Sequence, residues 1–360
     1  MTKPNHQTAR RIIEQQIEFL VPGIELAHDI CSDDGKILFS QGTILNQQAI
    51  KKLSTWGINK VKIIAEVTTN PITDPKVRQF INSYNQSVTV VQKAFDEIRQ
   101  TQQIPGETFQ NFQTTANTIT ERVMAAGNII DQLYNLPQCD DYTFRHSVNV
   151  SAIAALIATW LKFPPESVSA ISLSGLLHDV GKSQLAPRLL NKSSLLSPAD
   201  YECYKKHTTL GYELANKIPN MAQSILSGLV EHHEREDGSG YPFSLLGENI
   251  HPYAKIVAVA DLYDEALTIN CDQPGALSPY ESLENLRTQI HCLDAKVCIT
   301  FVDNMTNFLS GNPIALTDGR CGRVVCINKN TPSRSMVQLD NGEVLDLDDE
   351  TDLRIHYIIR

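Results

Sequence analysis

The sequence predicts a mainly α-helical protein with a small α/β unit at its start and a small β unit at its end. Apolar residues recur at helical spacing between Phe80 and Ile98, which predicts an amphipathic helix. A longer apolar stretch at 148–161 is typical of a buried helix. After Gly311 apolar and polar residues alternate, as they do in strands. We place the α/β unit, a helical connector, a central helical domain and the β unit at 1–70, 71–135, 136–310 and 311–360.

The N-terminal α/β unit is predicted from residues 21–66. The segment DDGK at 33–36 is expected to form a hairpin turn between two extended segments. Asn46 is a candidate N-cap for the helix that follows, and Gly57 is placed to end that helix. A final strand is expected from Lys60 to Ile64.

The helical connector carries a continuous apolar stripe formed by Phe80, Tyr84, Val88, Val91, Phe95 and Ile98. The stripe could be a dimer seam, but packing against the rest of the protein is the commoner arrangement, and its length does not separate the two. The segment IPGET at 104–108 should end this helix, and a second helix is expected from about Thr108 to Tyr134. Leu136-Pro137 then marks the entry to the central domain.

The C-terminal segments GRVVCINKN, SMVQLDNGEVLDL and LRIHYIIR alternate apolar and polar residues. The turn signals DGR, KN and NG separate them. This pattern predicts a small antiparallel β unit.

Composition limits the partners of the chain. The net charge is -10 and the pI is about 5.5, which argues against duplex nucleic acid or an anionic membrane as a ligand. The eight cysteines form no CxxC pair, so we expect them to be reduced. The first 20 residues lack an apolar signal core, and the stretch at 148–161 is too short to span a bilayer. We therefore expect a cytoplasmic protein.

The central domain carries side chains that divalent metals bind, and they follow in the order His146, His178-Asp179, His207, His232-His233 and Asp261. Seven such groups are too many for one tetrahedral ion, so two ions are the natural interpretation. A pair of ions polarises a phosphoryl group and activates water, which is the chemistry of phosphoester hydrolysis. The pair His28-Asp29 has no further ligand at useful spacing, and we interpret it as structural.

Each dipeptide alone is a weak signal, but the surrounding strings are specific. They are GLLHDVGK at 175–182, KKHTTLG at 205–211, EHHEREDGSGYP at 231–242 and AVADLYDEAL at 258–267. In this order and spacing the chain resembles the HD-GYP family, a bacterial branch of the HD phosphohydrolase superfamily, over about residues 136–305. The resemblance implies an HD-type helical bundle.

By resemblance, the metal ligands are His146, His178, Asp179, His207, His232, His233 and Asp261. The metals would be iron or manganese, judged from the family, and these ligand types do not exclude zinc. Asp179 is our candidate for a bridging carboxylate. Lys182 lies one helical turn further on and could neutralise a phosphate oxygen, the alternative being a solvated surface lysine.

The segment DGSGYP cannot continue a helix, so the chain must turn sharply just beyond the paired histidines. The resemblance implies that this loop, with Gly240, Tyr241 and Pro242, shapes the nucleotide cleft and could dock a partner such as a diguanylate cyclase. Asp237 could act there, or it could only cap the turn through backbone amides.

Two positions depart from the family pattern. Some members bind a third metal through a Glu four residues before the first histidine, and here that residue is Tyr142, with Asp141 one residue away. Tyrosine is a poor ligand at neutral pH, which favours two ions. The family's basic RPYR-like element is replaced by Cys271, Asp272, Gln273 and Pro274, which should weaken anion binding by roughly 1–3 kcal/mol per charged hydrogen bond lost.

The resemblance implies a metal-dependent phosphodiesterase that opens cyclic di-GMP to linear pGpG and could cut it further to GMP. The altered segment at 271–274 keeps a second substrate open, such as cyclic GMP-AMP. A third hypothesis is a catalytically silent receptor or docking module, and the complete set of metal ligands argues against it. A homodimer is also compatible with the sequence.

Overall fold

The computed structural model describes residues 8–17, 24–31, 37–58, 60–68, 75–125, 142–190, 196–268, 277–350 and 352–359. The chain divides into two compact units, Met1–Gln79 and Phe80–Arg360. The four segment boundaries expected from the sequence stay predictions.

The first unit contains strands β1 to β5 and one helix, with bounds Thr8–Gln16, Glu25–Leu26, Ile30–Cys31, Ile37–Phe39 and Lys60–Thr68 for the strands and Gln47–Thr55 for helix α1. The sheet order is β1-β5-β2, and β3 pairs with β4. Asn46 caps α1 by accepting a hydrogen bond from the backbone N–H of Ala49 at 2.9 Å, and Gly57 follows with a φ of 73°. Both predictions are confirmed. The expected turn at 33–36 lies outside the described residues.

Strand β1 was not expected from the sequence. Its nine residues pair antiparallel with β5, from Thr8 opposite Thr68 to Gln16 opposite Lys60. The last strand is accordingly longer than expected and runs to Thr68.

The second unit is mostly helical. Its described helices, named α2 to α11 in chain order, are Pro75–Thr101, Gly106–Ala125, Tyr142–Trp160, Pro165–Leu177, Pro198–Lys205, His207–Ala215, Gln223–Val230, Pro252–Thr268, Pro279–Thr288 and Ala295–Leu309. Short 3-10 turns lie at Val180–Gln184, Pro187–Leu189, Gly247–Asn249 and Pro332–Arg334. None of the helices in the described ranges combines the length and apolar character needed to cross a bilayer.

The apolar stripe of α2 lies in the main core. Tyr84, Val91 and Ile98 are buried in the same hydrophobic cluster as α4 and α5. The stripe therefore packs within the protein, as the commoner of its two interpretations holds. The break after Thr101 is also confirmed, and the end expected for the next helix near Tyr134 lies outside the described residues.

The C-terminal β unit forms one antiparallel sheet. Its strands β6 to β10 are Pro313–Leu316, Cys321–Cys326, Met336–Leu339, Val344–Asp346 and Ile355–Ile358, in the order β10-β6-β7-β8-β9. Ile314, Val324 and Val337 are buried in the same cluster as the helices, so this sheet adds to the core of the second unit.

Candidate metal centre

The predicted metal ligands lie within, at the start of or just after helices of the second unit. His146 lies in α4 and Asp261 in α9, while His207 is the first residue of α7. The remaining ligands follow helix ends: His178-Asp179 comes after α5 and His232-His233 after α8. All are buried except His233, which is slightly exposed. The fold thus gathers residues separated by up to 115 positions in the sequence.

The first group of ligand atoms surrounds the Oδ2 atom of Asp179. The Nε2 atoms of His178 and His146 lie 3.3 Å and 3.7 Å from that oxygen. The Nε2 atom of His146 also lies 3.0 Å from Oδ1 of Asp261. His146, His178 and Asp179 offer ligand atoms that all lie within 4.8 Å of one another.

The second group consists of His207, His232 and His233, whose ligand atoms also lie within 4.8 Å of one another. The Nε2 atoms of His207 and His232 are 3.5 Å apart. Oδ1 of Asp179 lies 3.6 Å from Nε2 of His207. The two oxygens of Asp179 therefore face different histidine groups, which is the geometry of a bridging carboxylate.

Backbone carbonyls orient three of the imidazoles. Nδ1 of His178, His207 and His232 lies 2.7, 2.7 and 2.6 Å from the carbonyl oxygen three residues earlier in the chain. A carbonyl only accepts, so each Nδ1 carries the proton and donates it. The lone pair of each Nε2 is then directed into the centre, as metal ligation requires.

A carboxylate that the sequence analysis did not single out orients His146. Nδ1 of His146 donates to Oδ2 of Asp264 at 2.8 Å. The amide of Asn149 donates to the other oxygen of Asp264 at 2.9 Å. The available signal was position, because Asp264 lies three residues after Asp261 and therefore on a neighbouring part of the same helix face.

The protonation states suit metal binding. Burial lowers the pKa of His207 to about 4, and burial together with neighbouring histidines holds the pKa of His232 and His233 well below the ordinary value. Burial alone would raise the pKa of Asp179, but His178 and Lys182 outweigh it and hold that pKa well below its usual range. Neutral imidazoles and ionised carboxylates are the forms that bind divalent metals.

Two buried atoms test the fit directly. Within the described part of the chain, Nε2 of His178 and Oδ1 of Asp179 make no hydrogen bond. Buried polar atoms without a partner are costly, and a bound cation would satisfy both. The residues present therefore fit a divalent metal.

Lys182 is buried beside this centre, which rules out the surface alternative. Its ammonium group pairs with Asp179 and lies 5.2 Å from the ring centre of Tyr204. The α-helix does not continue to Lys182. It ends at Leu177, and the chain passes through Asp179 (φ −99°, ψ 6°) into a 3-10 turn, where a spacing of three residues still keeps Lys182 and Asp179 on one side.

The loop that carries Gly240, Tyr241 and Pro242 covers one side of the centre. The ring of Tyr241 lies 4.7 Å from the ring of His233 at an interplanar angle of 30°. A Cβ atom on Gly240 would come within 2.4 Å of the backbone of Glu234 and Arg235, so only glycine fits there. Pro242 follows Tyr241 through a cis peptide bond.

Two acidic residues shape this loop. Glu234 is buried, and its carboxylate accepts hydrogen bonds from the backbone N–H groups of Phe243 at 2.6 Å and Leu245 at 2.9 Å. No role was predicted for Glu234 from the sequence. Asp237 is exposed and accepts from the backbone N–H of Ser239 at 3.0 Å, as expected of a residue that caps the turn.

Some expected features fall elsewhere. His28 and Asp29 are exposed, and Asp29 accepts from the backbone N–H of Gln41, in line with a structural role. The side chain of Tyr142, residue Asp141 and the segment 271–274 lie outside the described residues, so the expectations for them stay predictions.

Comparison with known proteins finds similar sequences. A family model described as HD domain matches residues 129–297. A cyclic di-GMP phosphodiesterase of Pseudomonas aeruginosa is 30% identical over 207 residues, which cover 58% of this chain and 50% of that protein. A 3'3'-cGAMP-specific phosphodiesterase of Vibrio cholerae is 29% identical over 208 residues, which cover 57% of this chain and 46% of that protein. The chain thus spans about half the length of these relatives.

A solved structure supports the fold. An HDG"Y"P protein from Bdellovibrio bacteriovorus aligns with a TM-score of 0.54 at 18% identity and covers 82% of this chain and 99% of its own. The mainly helical class expected from the sequence is confirmed. Residues 129–297 are therefore similar to the HD domain, and this part of the chain carries the strings GLLHDVGK and EHHEREDGSGYP, which resemble the HD-GYP branch.

Proposed function

We propose that the protein is a metal-dependent phosphodiesterase that hydrolyses cyclic di-GMP to linear pGpG, with GMP as the product of a further cut. The observation that carries the proposal is the position of Asp179, whose two carboxylate oxygens face different histidines, His146 and His178 on one side and His207 on the other, at 3.3–3.7 Å. Such a pair of sites suits two ions that share one carboxylate.

Two bound divalent ions would polarise the substrate phosphoryl group and lower the pKa of a water molecule. The protein's own residues hold the geometry for this step. Three imidazoles are fixed by backbone carbonyls, so the donor atoms need little reorganisation.

Lys182 is proposed to hold the phosphate as negative charge develops. An ammonium group has three N–H donors, of which Asp179 takes one. A remaining donor can reach a substrate oxygen. Burial alone would lower the pKa of Lys182, but Asp179 outweighs it and raises that pKa well above the ordinary value, so the group stays charged.

For the metal itself we propose iron or manganese, two ions per chain. The ligand set combines imidazole nitrogens with carboxylate oxygens and contains no thiolate among the described site residues. Imidazole suits iron and zinc, and carboxylates suit manganese, so the donor types agree with this choice without excluding zinc.

The preferred cyclic dinucleotide is a separate question from the chemistry. The two relatives compared above are named for different substrates at nearly equal identity, 30% and 29%. The segment at 271–274, where the chain lacks the basic element, keeps cyclic GMP-AMP as the second candidate.

A docking role for the loop that carries Gly240, Tyr241 and Pro242 is compatible with catalysis. Phe243 and Leu246, in and just after this loop, are 57% and 56% exposed, and exposed apolar side chains of this size suit a protein partner. Docking of a diguanylate cyclase there, and formation of a homodimer, stay predictions.

The test is hydrolysis of cyclic di-GMP, cyclic GMP-AMP and cyclic di-AMP by the wild type and by His178→Ala and Asp179→Ala. The chain offers a matched control, because His28→Ala and Asp29→Ala remove the same two residue types from an exposed pair. We expect the first two variants to lose hydrolysis while their circular dichroism stays unchanged, and the controls to keep wild-type rates. Full activity in His178→Ala or Asp179→Ala, or no hydrolysis of any substrate by the metal-loaded wild type, would contradict the proposal.

A further inference from the structure

A series of hydrogen bonds links helix α2 to the metal centre. The hydroxyl of Tyr84 donates to Oδ1 of Asn149 at 2.7 Å, and the amide of Asn149 donates to Oδ1 of Asp264 at 2.9 Å. Oδ2 of Asp264 accepts from Nδ1 of His146 at 2.8 Å. Tyr84 lies outside residues 129–297, the part of the chain that matches the HD family.

The donors and acceptors in this series of hydrogen bonds have only one consistent arrangement. A carboxylate that faces both an imidazole N–H and an amide acts as the acceptor for each. The NH₂ group of Asn149 must therefore point at Asp264, because its carbonyl oxygen would repel the carboxylate. This orientation leaves the Asn149 oxygen facing Tyr84, and Tyr84 must then be the donor.

Burial makes each of these bonds matter. Tyr84 is 5% exposed and Asp264 is 2% exposed, so water does not readily replace a lost partner. Burial also raises the pKa of Tyr84, which keeps the phenol protonated and able to donate. The guanidinium of Arg145, the residue before His146, lies 5.6 Å from the Tyr84 ring centre and adds a second contact between α2 and α4.

His146 and Asn149 lie one turn apart on α4, and Asp261 and Asp264 lie one turn apart on α9. The same two helices therefore carry the ligands His146 and Asp261 and also Asn149 and Asp264, which orient His146. Only Tyr84 comes from a third helix. Losing its hydroxyl would free the Asn149 amide to rotate, and Asp264 would lose a fixed donor.

We propose that Tyr84 and Asn149 are positioning residues that act through Asp264 to hold His146 as a metal ligand, so that helix α2 completes the metal centre. The inference rests on the proposed metal-dependent function, but it concerns metal binding and can be tested without turnover. Outer partners of metal ligands typically change metal affinity by about 10- to 100-fold when removed. Because Tyr84 reaches Asp264 only through Asn149, we expect about a 3- to 10-fold loss of affinity in Tyr84→Phe.

The experiment compares the full-length wild type with Tyr84→Phe, Asn149→Asp and the control Tyr280→Phe. Tyr280 is also buried, and its hydroxyl donates to the Leu309 carbonyl oxygen at 2.8 Å, so the control removes a similar bond. The readouts are manganese(II) affinity by chelator competition and the visible absorption spectrum of the cobalt(II)-loaded protein. Asn149→Asp places a second carboxylate beside Asp264 and should weaken binding more than Tyr84→Phe does, because like charges repel.

We expect weaker binding and an altered cobalt spectrum in both site variants, while Tyr280→Phe matches the wild type within about twofold. Wild-type affinity and spectrum in Tyr84→Phe would overturn the inference and leave the proposed function intact. Equal losses in Tyr84→Phe and Tyr280→Phe would also overturn it, since the effect would then be general destabilisation. A wild type that binds no metal would overturn the proposed function together with the inference.

Discussion

Replacing Gly181 with alanine should destabilise the second unit and weaken its metal site together. Gly181 lies in the 3-10 turn after Asp179 and packs against the start of α7. A Cβ atom at this position would lie 1.9 Å from the carbonyl oxygen of His207 and 2.5 Å from the backbone nitrogen of Gly211. These are backbone atoms, so no side-chain rotation can relieve the overlap, and the turn and α7 must separate.

The size of the effect follows from this overlap. Inserting one methyl group into a packed core costs typically about 1–3 kcal/mol, and rigid backbone neighbours place this case at the upper end. A loss of about 3 kcal/mol corresponds to a fall in Tm of about 6–12 °C for a domain of roughly this size. Separation would also lengthen the 3.6 Å between Nε2 of His207 and Oδ1 of Asp179, which loosens one ligand from the bridging carboxylate.

The assay is thermal unfolding with metal analysis of Gly181→Ala beside Gly106→Ala. Gly106 starts α3, and a Cβ atom there would meet nothing within 4 Å, so the control should keep or slightly raise the Tm. A Gly181→Ala protein with wild-type Tm and full metal content would refute the packing argument and the link between this turn and His207.

Three further predictions concern charge, pH and substrate. Lys182→Gln should lower kcat by about 10²- to 10³-fold while the exposed control Lys206→Gln has little effect, and unchanged kcat in Lys182→Gln would remove its proposed role. In chelator-treated protein, the buried His207 has its pKa lowered from 6.5 to about 4, so the unfolded chain binds the proton more readily. The contribution of His207 to the free energy of unfolding should therefore be fully present above pH 6.5 and be lost as the pH falls toward 4. Urea titration at several pH values would check this. Cys271→Arg combined with Pro274→Arg, outside the described residues, should lower KM for cyclic di-GMP by roughly tenfold per restored contact at 1.4 kcal/mol per decade, and an unchanged KM would show that this segment does not touch the substrate.

The sequence predicted the site residues better than the contacts that support them. Histidine and carboxylate ligands have a distinctive chemistry, so their order along the chain was enough to propose a metal centre. Asp264 offered only its position three residues after Asp261, and Asn149 offered no signal, because the partner of Asp264, His146, lies 118 residues away in the sequence. Tyr84 was classified as part of an apolar stripe, and its hydroxyl bond could not be inferred from helical spacing.

Backbone features that depend only on neighbouring residues were also predictable from the sequence. The Asn46 cap and the positive φ at Gly57 depend on neighbouring residues only, and both were predicted. Strand β1 depends on β5, more than 40 residues later, and its own sequence TARRIIEQQ lacks a regular alternation. The contact between Gly181 and Gly211 was likewise hidden, although both glycines stand in the quoted motifs.

Asp179 is proposed to lie between two metal ions, and anomalous diffraction from crystals of the metal-loaded protein would locate those ions. We expect two peaks per chain, one beside His146 and His178 and the other beside His207 and His232, with Asp179 between them. Element analysis of the same preparation should give close to two ions per chain. A single peak, no peak in protein prepared without oxygen or chelator, or peaks away from Asp179 would contradict it.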